Sequence, residues 1–406
     1  MNSELPLLSI IIPTHNRSKY AIYAIRSILQ FNQNGIELVV SDTSTDDLLK
    51  NLVDEIDTKL SKVHFKYTKH SVRLDMTENH DYALSQATGE YVCLIGDDDS
   101  VSDELYNAAE WAKKQNINIL TPKVTAMYNW PDFQTKVFGN KHCTRLYLPK
   151  TIGGIEKKDT KSALVNALNN SCQGTDGLPK LYHGLVKNDL LKKLNDKTGA
   201  FFHGSSPDMS AAIGLALIAD SFHEIDYPLT IPGASGGSNT GRSAMNKHKG
   251  SLSSESQTNA FTKSGWNNLI PLFFSVETVW SHAALNTLEK LSPNRIQDYN
   301  FINLYSLCEA NHSDYYAEIA DSEKLYREKY GMSATSFKLK LINYKVKNLL
   351  LRGAYIAKRI LIPTAAGGKE FVSGVLDVSK TPELLNAHLS KKGFNLATVF
   401  SNYREQ

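Results

Sequence analysis

Short apolar runs rich in β-branched residues alternate with helix-period segments through the first quarter of the chain. The runs 7–12 and 36–41 are unbroken, as expected for strands buried on both faces of a parallel sheet. Residues 63–68 and 90–95 are two further candidate strands, and segment 17–31 places its isoleucines on one helical stripe. This βαβαβαβ order predicts an α/β fold in which helices flank a Rossmann-like sheet with right-handed crossovers.

Composition bounds the class of protein. At 406 residues the chain exceeds the ~100 to 200 residues of one domain, so two units are expected. The 45 basic and 42 acidic residues leave a net charge of +3, too balanced for a nucleic-acid binder. The four cysteines form no C-x-x-C pair, which favours a reducing cytoplasm over a zinc knuckle or disulfide framework. The start of the chain does not resemble a signal peptide, and the longest apolar stretch, 211–219, is far shorter than the ~18 residues of a membrane span.

Polar clusters follow three of the predicted strands. Residues 13–17 follow the first strand, Ser41 and Asp42 end the second, and three aspartates at 97–99 follow the fourth. Ligands of open α/β sheets bind at the carboxyl ends of the strands, so these clusters should meet at one rim. Neither G-x-G-x-x-G after the first strand nor a P-loop motif is present, which argues against a dinucleotide fold and a P-loop enzyme.

These motifs carry a family resemblance. Segments 9–17 (SIIIPTHNR), 39–42 (VVSD) and 87–99 (ATGEYVCLIGDDD), in that order, resemble family 2 glycosyltransferases of the GT-A fold. The resemblance covers roughly residues 5 to 240, and three motifs in order are far more specific than any one. It implies a GT-A type mixed sheet and a catalytic unit over 1–245. Beyond the resemblance, a helix-period pattern from about residue 251 predicts a mainly helical region over 246–406, a candidate for contact with a membrane or a second copy.

The resemblance also implies roles for the polar clusters. Asp97 and Asp99, with Asp98 between them, would hold Mg²⁺ or Mn²⁺ against the diphosphate of a nucleotide sugar, with a UDP-sugar as the expected donor. Asp42 would contact the base or ribose. The remaining donor-binding candidates are Pro13, Thr14, Asn16, Arg17, Arg73, Asp97 and Asp98. The family commonly has an acidic residue where this chain has Gly96, which leaves open which two aspartates face the metal.

The chemistry of sugar transfer gives an independent reason for a cation here. The departing diphosphate gains negative charge, which hard oxygen ligands holding Mg²⁺ or Mn²⁺ would stabilise. Three adjacent carboxylates also repel one another without a cation. The alternative is a solvated acidic turn that caps the next helix. The metal prediction requires these carboxylates to face a cavity and not to be engaged by lysines or arginines.

A general base should lie outside the aspartate cluster. Ser206 and Pro207 predict a helix start, which places Asp208 in the first turn. In inverting relatives a carboxylate at this place takes the proton of the acceptor hydroxyl, so Asp208 is the predicted base. The alternative for Asp208 is an anion that stabilises a helix N-terminus. His203 is a weaker candidate for the base.

Two later segments leave alternatives open. The loop 233–242, rich in glycine and hydroxyl side chains, is a plain linker or a lid whose amides and Arg242 reach the diphosphate. Segment 337–362 combines an apolar seam with lysines and arginines every seven residues and contains no acidic residue. It fits a helix on an anionic membrane surface or an ordinary helix packed on the catalytic unit.

The sequence therefore predicts a metal-dependent, inverting glycosyltransferase that uses a nucleotide sugar. Its acceptor would be a glycan or lipid-linked glycan of polysaccharide biosynthesis, handled in the cytoplasm or peripherally at the inner membrane face. A non-catalytic carbohydrate- or partner-binding subunit and a nucleotidyltransferase are the alternatives.

Overall fold

The computed structural model describes residues 5–123, 126–255, 257–262, 265–361 and 369–403. The strands are β1 (Leu8–Thr14), β2 (Ile36–Asp42), β3 (His64–Lys69), β4 (Tyr91–Leu94), β5 (Ser100–Val101), β6 (Ile119–Pro122), β7 (Met127–Asn129), β8 (Arg145–Leu148), β9 (Ile155–Asp159), β10 (Leu185–Lys187), β11 (Ser221–Ile225), β12 (Thr230–Ile231), β13 (Gly233–Ala234), β14 (Lys249–Gly250), β15 (Phe274–Ser275) and β16 (Glu370–Ser373). The helices are α1 (Ser18–Leu29), α2 (Leu48–Asp54), α3 (Met76–Ser85), α4 (Glu104–Lys114), α5 (Thr160–Asn169), α6 (Asn188–Thr198), α7 (Pro207–Ile218), α8 (Asn239–Ala244), α9 (Val276–Leu291), α10 (Phe301–Asn311), α11 (Tyr316–Lys329), α12 (Ala334–Leu361), α13 (Thr381–Lys392) and α14 (Leu396–Ser401).

An eight-stranded mixed sheet with the order β3-β2-β1-β4-β10-β6-β11-β9 forms the centre of the molecule. Strands β3, β2, β1 and β4 run parallel, whereas β10 is antiparallel to both of its neighbours. Thr14 is in register with Asp42, so β1 and β2 end together. The predicted fold class, an α/β mixed sheet flanked by helices and followed by a mainly helical region, is confirmed.

The local sequence explains most of the N-terminal elements. Strands β1 and β2 are buried along their whole length, as their continuous apolar runs predicted. Helix α3 begins with a capping box between Asp75 and Glu78, and α7 begins with Pro207 at its first position. Helix α2 begins at Leu48, and this leucine lies on the solvent side of the short helix.

Helices cover both faces of the large sheet, and each face has its own apolar core. The core on the α1 side includes Ile10, Ile12, Ile25 and Leu105. The opposite core includes Ile11 and the buried faces of α5, α7, α9 and α10. Alternate residues of β1 thus enter opposite cores, as the two-residue period of a strand requires.

The C-terminal segment returns to the N-terminal half. Strand β16 pairs antiparallel with β8 and completes a four-stranded sheet of order β13-β7-β8-β16. Leu385 and Leu389 of α13, with Leu396 and Val399 after them, join the core on the α1 side. The division of the chain at 245/246 stays a prediction.

Segment 337–362 is helical, as predicted: α12 spans Ala334–Leu361, and Ile362 lies outside the described residues. Within the described part of the chain, no helix has both the length and the apolar character needed to cross a bilayer.

Candidate active site

Strands β1, β2 and β4 bring their polar clusters to one rim of the sheet. The Thr14 hydroxyl at the end of β1 donates to Asp97 Oδ2 at 2.6 Å, although the two residues are 83 positions apart. Asp97, Asp98 and Asp99 form the turn that follows β4, and all three are buried. The structure therefore places the first and third predicted clusters in direct contact.

Arg17 is the cation of this rim. Its Nε donates to Asp97 Oδ1 at 2.7 Å, and its Nη2 lies 3.0 Å from Asp98 Oδ2. Nη2 also donates to the Ser235 hydroxyl at 3.0 Å. A planar guanidinium presents several donors at fixed angles, so one side chain engages two carboxylates here.

Asp99 is held by a different set of groups: two backbone amides, a tyrosine hydroxyl and a histidine ring. Its Oδ1 accepts from the Gly233 amide at 2.6 Å. Its Oδ2 accepts from the Gly96 amide at 2.6 Å and the Tyr182 hydroxyl at 3.1 Å, and the His183 Nε2 lies 3.2 Å away. These contacts also explain Gly96: a Cβ there would lie 2.5 Å from the Tyr182 hydroxyl oxygen and 2.9 Å from Asp99 Oδ2.

The glycine-rich loop lies on the aspartates. The amide and hydroxyl of Ser235 donate to Asp98 Oδ2 at 3.1 and 2.6 Å. At Gly233 a Cβ would fall 1.8 Å from the Asp98 carbonyl oxygen, so only glycine permits this approach. Arg242 does not reach the cluster; it pairs with Glu255 at 2.7 Å. The loop therefore packs directly on the acidic turn, which a plain linker would not do.

Charge and burial shift the acidities of the cluster. Burial, with Asp99 and Asp97 adding to it, raises the pKa of Asp98 to about 7 despite the charge of Arg17. Burial also raises the pKa of Asp97. Although burial opposes it, the His183 imidazole and the amide hydrogen bonds lower the pKa of Asp99 below its ordinary value. The three neighbouring carboxylates outnumber the one guanidinium, and the resulting surplus of negative charge adds to the effect of burial on the pKa of Asp98.

A divalent metal does not fit the two predicted ligands as they are arranged. Both oxygens of Asp97 are engaged, by Thr14 and Arg17, and both oxygens of Asp99 accept hydrogen bonds from Gly233 and Gly96. Across the described ranges, no group of three or more His, Cys, Asp or Glu side chains could hold a metal ion. The condition set by the sequence, that no arginine engages the carboxylates, is not met for Asp97 and Asp98, because both contact the guanidinium of Arg17.

Asp42 and Asn16 organise the neighbouring loops. The Asp42 carboxylate is fully buried; it accepts from the Ser44 amide at 2.8 Å and the Tyr67 hydroxyl at 2.7 Å. Asn16 Oδ1 accepts from the Thr45 amide at 2.8 Å, which joins the loops after β1 and β2. In this structure both side chains therefore shape the rim, and their predicted contacts with a nucleotide stay predictions.

The other two donor-binding candidates differ in their surroundings. Pro13 is buried within β1, whereas Arg73 is exposed on the loop between β3 and α3. A residue that the sequence did not indicate links the strands instead: Asn79 of α3 donates to the Thr14 carbonyl at 3.1 Å and accepts from the Ser41 hydroxyl at 2.6 Å.

Asp208 lies in the first turn of α7, as predicted. Its Oδ1 accepts from the Ser206 hydroxyl and from the Met209 amide, the latter at 2.8 Å. The loop before it is tied to the rim, since Thr77 at the start of α3 donates to the Gly204 carbonyl at 2.8 Å. His203, in the same loop, is buried, which lowers its pKa, and its Nε2 has no partner among the residues described.

Sequence reasoning did not select four residues that contact the aspartates: Tyr182, His183, Gly233 and Ser235. A signal existed for two of them, because Gly233 and Ser235 belong to the glycine-rich loop. His183 adopts a left-handed backbone with φ of 62°, a conformation that its sequence context does not indicate.

The family model of glycosyl transferase family 2 matches residues 9–164. This segment contains β1, β2, β4, Arg17 and the three aspartates. Asp208 and the glycine-rich loop lie beyond the matched segment.

Among characterised relatives, the chain is similar to GalNAc(5)-diNAcBac-PP-undecaprenol beta-1,3-glucosyltransferase of Campylobacter jejuni. The identity is 30% over 97 residues, which are 24% of this chain and 31% of the relative. The alignment therefore spans about a third of the relative's length.

Two solved structures overlap larger parts of the chain. S. aureus TarS 1-349 in complex with UDP-GlcNAc has a TM-score of 0.43 at 18% identity, covering 80% of this chain and 93% of the TarS 1-349 chain. The mannosyltransferase PcManGT from Pyrobaculum calidifontis, in complex with GDP-Man and Mn²⁺, has a TM-score of 0.39 at 16% identity, covering 86% and 88% of the two chains.

Proposed function

We propose that this protein transfers a sugar from a nucleotide-diphosphate donor to a hydroxyl group of a glycan or lipid-linked glycan. The observation that carries the proposal is the rim of the family 2 segment, where Thr14, Arg17 and Asp97 meet at the carboxyl ends of β1 and β4. Open α/β sheets bind their ligands at this edge. A UDP-sugar is the expected donor.

Arg17 is the group proposed to face the donor diphosphate. As the bond between the sugar carbon and the phosphate oxygen breaks, the electron pair leaves with the nucleoside diphosphate. A guanidinium fixed by Asp97 and Asp98 stabilises that charge without having to reorganise. A divalent cation at Asp97 and Asp99 is kept as a separate prediction, and no step of the proposed reaction passes through it.

Asp208 is the proposed general base. It would accept the proton of the acceptor hydroxyl as that oxygen bonds to the sugar carbon, on the side opposite the departing phosphate. Displacement from the opposite side inverts the anomeric centre. The link between Thr77 and Gly204 supports this role, because it holds the loop before Asp208 against the rim side of α3.

A lipid-linked acceptor is proposed from the relative's name alone, since that protein acts on an undecaprenol-linked substrate. Such acceptors are handled at a membrane surface, so we place the protein in the cytoplasm, peripheral to the inner face of the membrane. The non-catalytic binder and the nucleotidyltransferase remain the competing functions.

Product analysis separates the three functions. The full chain is incubated with labelled UDP- and GDP-sugars, with Mn²⁺ or with EDTA, and nucleoside diphosphate and free or transferred sugar are quantified. Release of nucleoside diphosphate supports the transferase. Donor binding without any turnover would indicate the binding subunit, and pyrophosphate released from a nucleoside triphosphate would indicate the nucleotidyltransferase.

The base is tested with Asp208→Asn. Transfer should fall by ~10²-fold or more while donor affinity is unchanged, because general-base catalysis contributes that much. Asp189→Asn is the matched control, since Asp189 is the first-turn acid of α6 and is exposed. Full transfer by the Asp208 variant would assign the base to another residue.

A further inference from the structure

Helix α12 has two apolar faces, and only one of them is packed. Phe337 and Leu341 are buried against α10 and its neighbours, and Tyr344 packs partly on the same core. One turn further, the Asn348 amide donates to Asn303 Oδ1 at 3.1 Å and to the Ser306 hydroxyl at 2.9 Å. These contacts fix the rotation of the helix about its axis.

The second apolar face points into solvent. Six large side chains on it are between 46 and 69 % exposed: Leu339, Ile342, Val346, Leu349, Leu350 and Ile356. With about 100° of rotation per residue, they form one stripe roughly opposite the packed face. The apolar stripe indicated by the sequence is therefore the exposed one, and a different face of α12 packs on the protein.

Basic side chains border the exposed stripe on both sides. Lys338, Lys345 and Arg352 lie along one border at seven-residue spacing, and Lys340 and Lys347 lie along the other. Lys345 also pairs with Glu309 of α10. The helix contains no aspartate or glutamate from 334 to 361.

We propose that the exposed stripe of α12 docks on an anionic lipid surface, with the helix lying in the plane of the interface. An apolar stripe bordered by cations places leucines among acyl chains and ammonium groups among lipid phosphates. The helix fits this geometry and not a membrane crossing, since no described helix is apolar enough to span. Pairing with a second copy through this face would bring rows of like charge together, which disfavours self-association.

Vesicle binding of the full chain tests the docking. We expect binding to phosphatidylcholine vesicles that contain phosphatidylglycerol, weaker binding to phosphatidylcholine alone, and loss of affinity at high salt. Lys340→Gln with Lys347→Gln should weaken binding about fivefold per cation removed. Leu349→Ser and Leu350→Ser should each weaken it about tenfold.

Matched controls lie on other exposed surfaces. Leu60→Ser, at an exposed leucine, and Lys59→Gln with Lys62→Gln, at exposed lysines, should leave vesicle affinity unchanged. Equal losses in the controls, or unchanged binding in the α12 variants, would overturn the proposal.

Light scattering at micromolar concentration tests whether a second copy of the chain, and not a lipid surface, covers the stripe. A dimer that Leu349→Ser dissociates would assign the stripe to a second copy and refute lipid docking. A monomer that binds anionic vesicles supports it. None of these readouts depends on sugar transfer, so the docking and the proposed function fail independently.

Discussion

Replacing Arg17 with glutamine should destabilise the protein because it leaves two buried carboxylates without their cation. Arg17 has 20 % of its side chain exposed and Asp97 and Asp98 have 8 % each, so the pair is close to the buried limit. Breaking a buried ion pair by removing one partner costs about 3 to 5 kcal/mol. Allowing for the exposed part of Arg17, we expect a loss of about 3 kcal/mol.

Thermal unfolding measures this loss. Unfolding entropy scales with length, so about 3 kcal/mol corresponds to a fall in Tm of roughly 3 to 4 °C for a chain of this size. Arg26→Gln, an exposed arginine on the same helix, is the control and should change Tm by less than about 1 °C. Equal shifts in the two variants would refute the argument that Arg17 neutralises the cluster.

A metal titration of the same variant examines the divalent-cation prediction. If the aspartates can bind a metal once the guanidinium is gone, Mg²⁺ or Mn²⁺ will raise the Tm of Arg17→Gln and not that of the Arg26 variant. No response in either variant would remove the aspartates from consideration as a metal site.

Three further substitutions probe other parts of the structure. Gly233→Ala should cost about 2 kcal/mol or more in thermal unfolding, because its methyl group would displace the loop from the acidic turn; an unchanged Tm would contradict the close approach. Burial, reinforced by a neighbouring glutamate, raises the pKa of Glu323 from 4.5 to about 7, so its contribution to stability is greatest below pH 4.5 and is lost as pH rises through 7. Glu323→Gln should therefore stabilise the protein by about 1 to 2 kcal/mol at pH 8, after allowing for partial exposure, and so raise Tm at that pH. At pH 4.5 it should not raise Tm. The control Glu328→Gln, on the same helix, should leave Tm unchanged at both pH values. Phe400→Ala should cost about 1 to 2 kcal/mol, because its ring stacks on Trp111 with centroids 4.6 Å apart; a negligible loss would show that the C-terminal segment adds little to the core.

Local sequence patterns were sufficient to predict the four parallel strands β1 to β4 and the rim at their carboxyl ends. Continuous apolar runs predicted β1 and β2, and the carboxyl-end rule indicated where Thr14 and the aspartates would meet. Contacts between distant segments were beyond such patterns. The pairing of Arg17 with Asp97 crosses 80 positions, and the return of Gly233 to Asp99 crosses 134.

Helix α12 shows the same limit in another form. Its period predicted a helix with an apolar seam, and the helix is there. Periodicity cannot say which of two apolar faces meets the protein, because that choice depends on the shape of α10. Only the burial of Phe337 and Leu341 decides it.

The return of the C-terminal segment has a practical consequence for anyone who shortens this protein. A polypeptide that stops before β16 would lose the edge strand of the small sheet whose opposite edge carries Gly233. It would also lose Leu385 and Leu389 and so expose the apolar core against which they pack. Recombinant fragments that end before β16 should accordingly aggregate more readily than the whole protein.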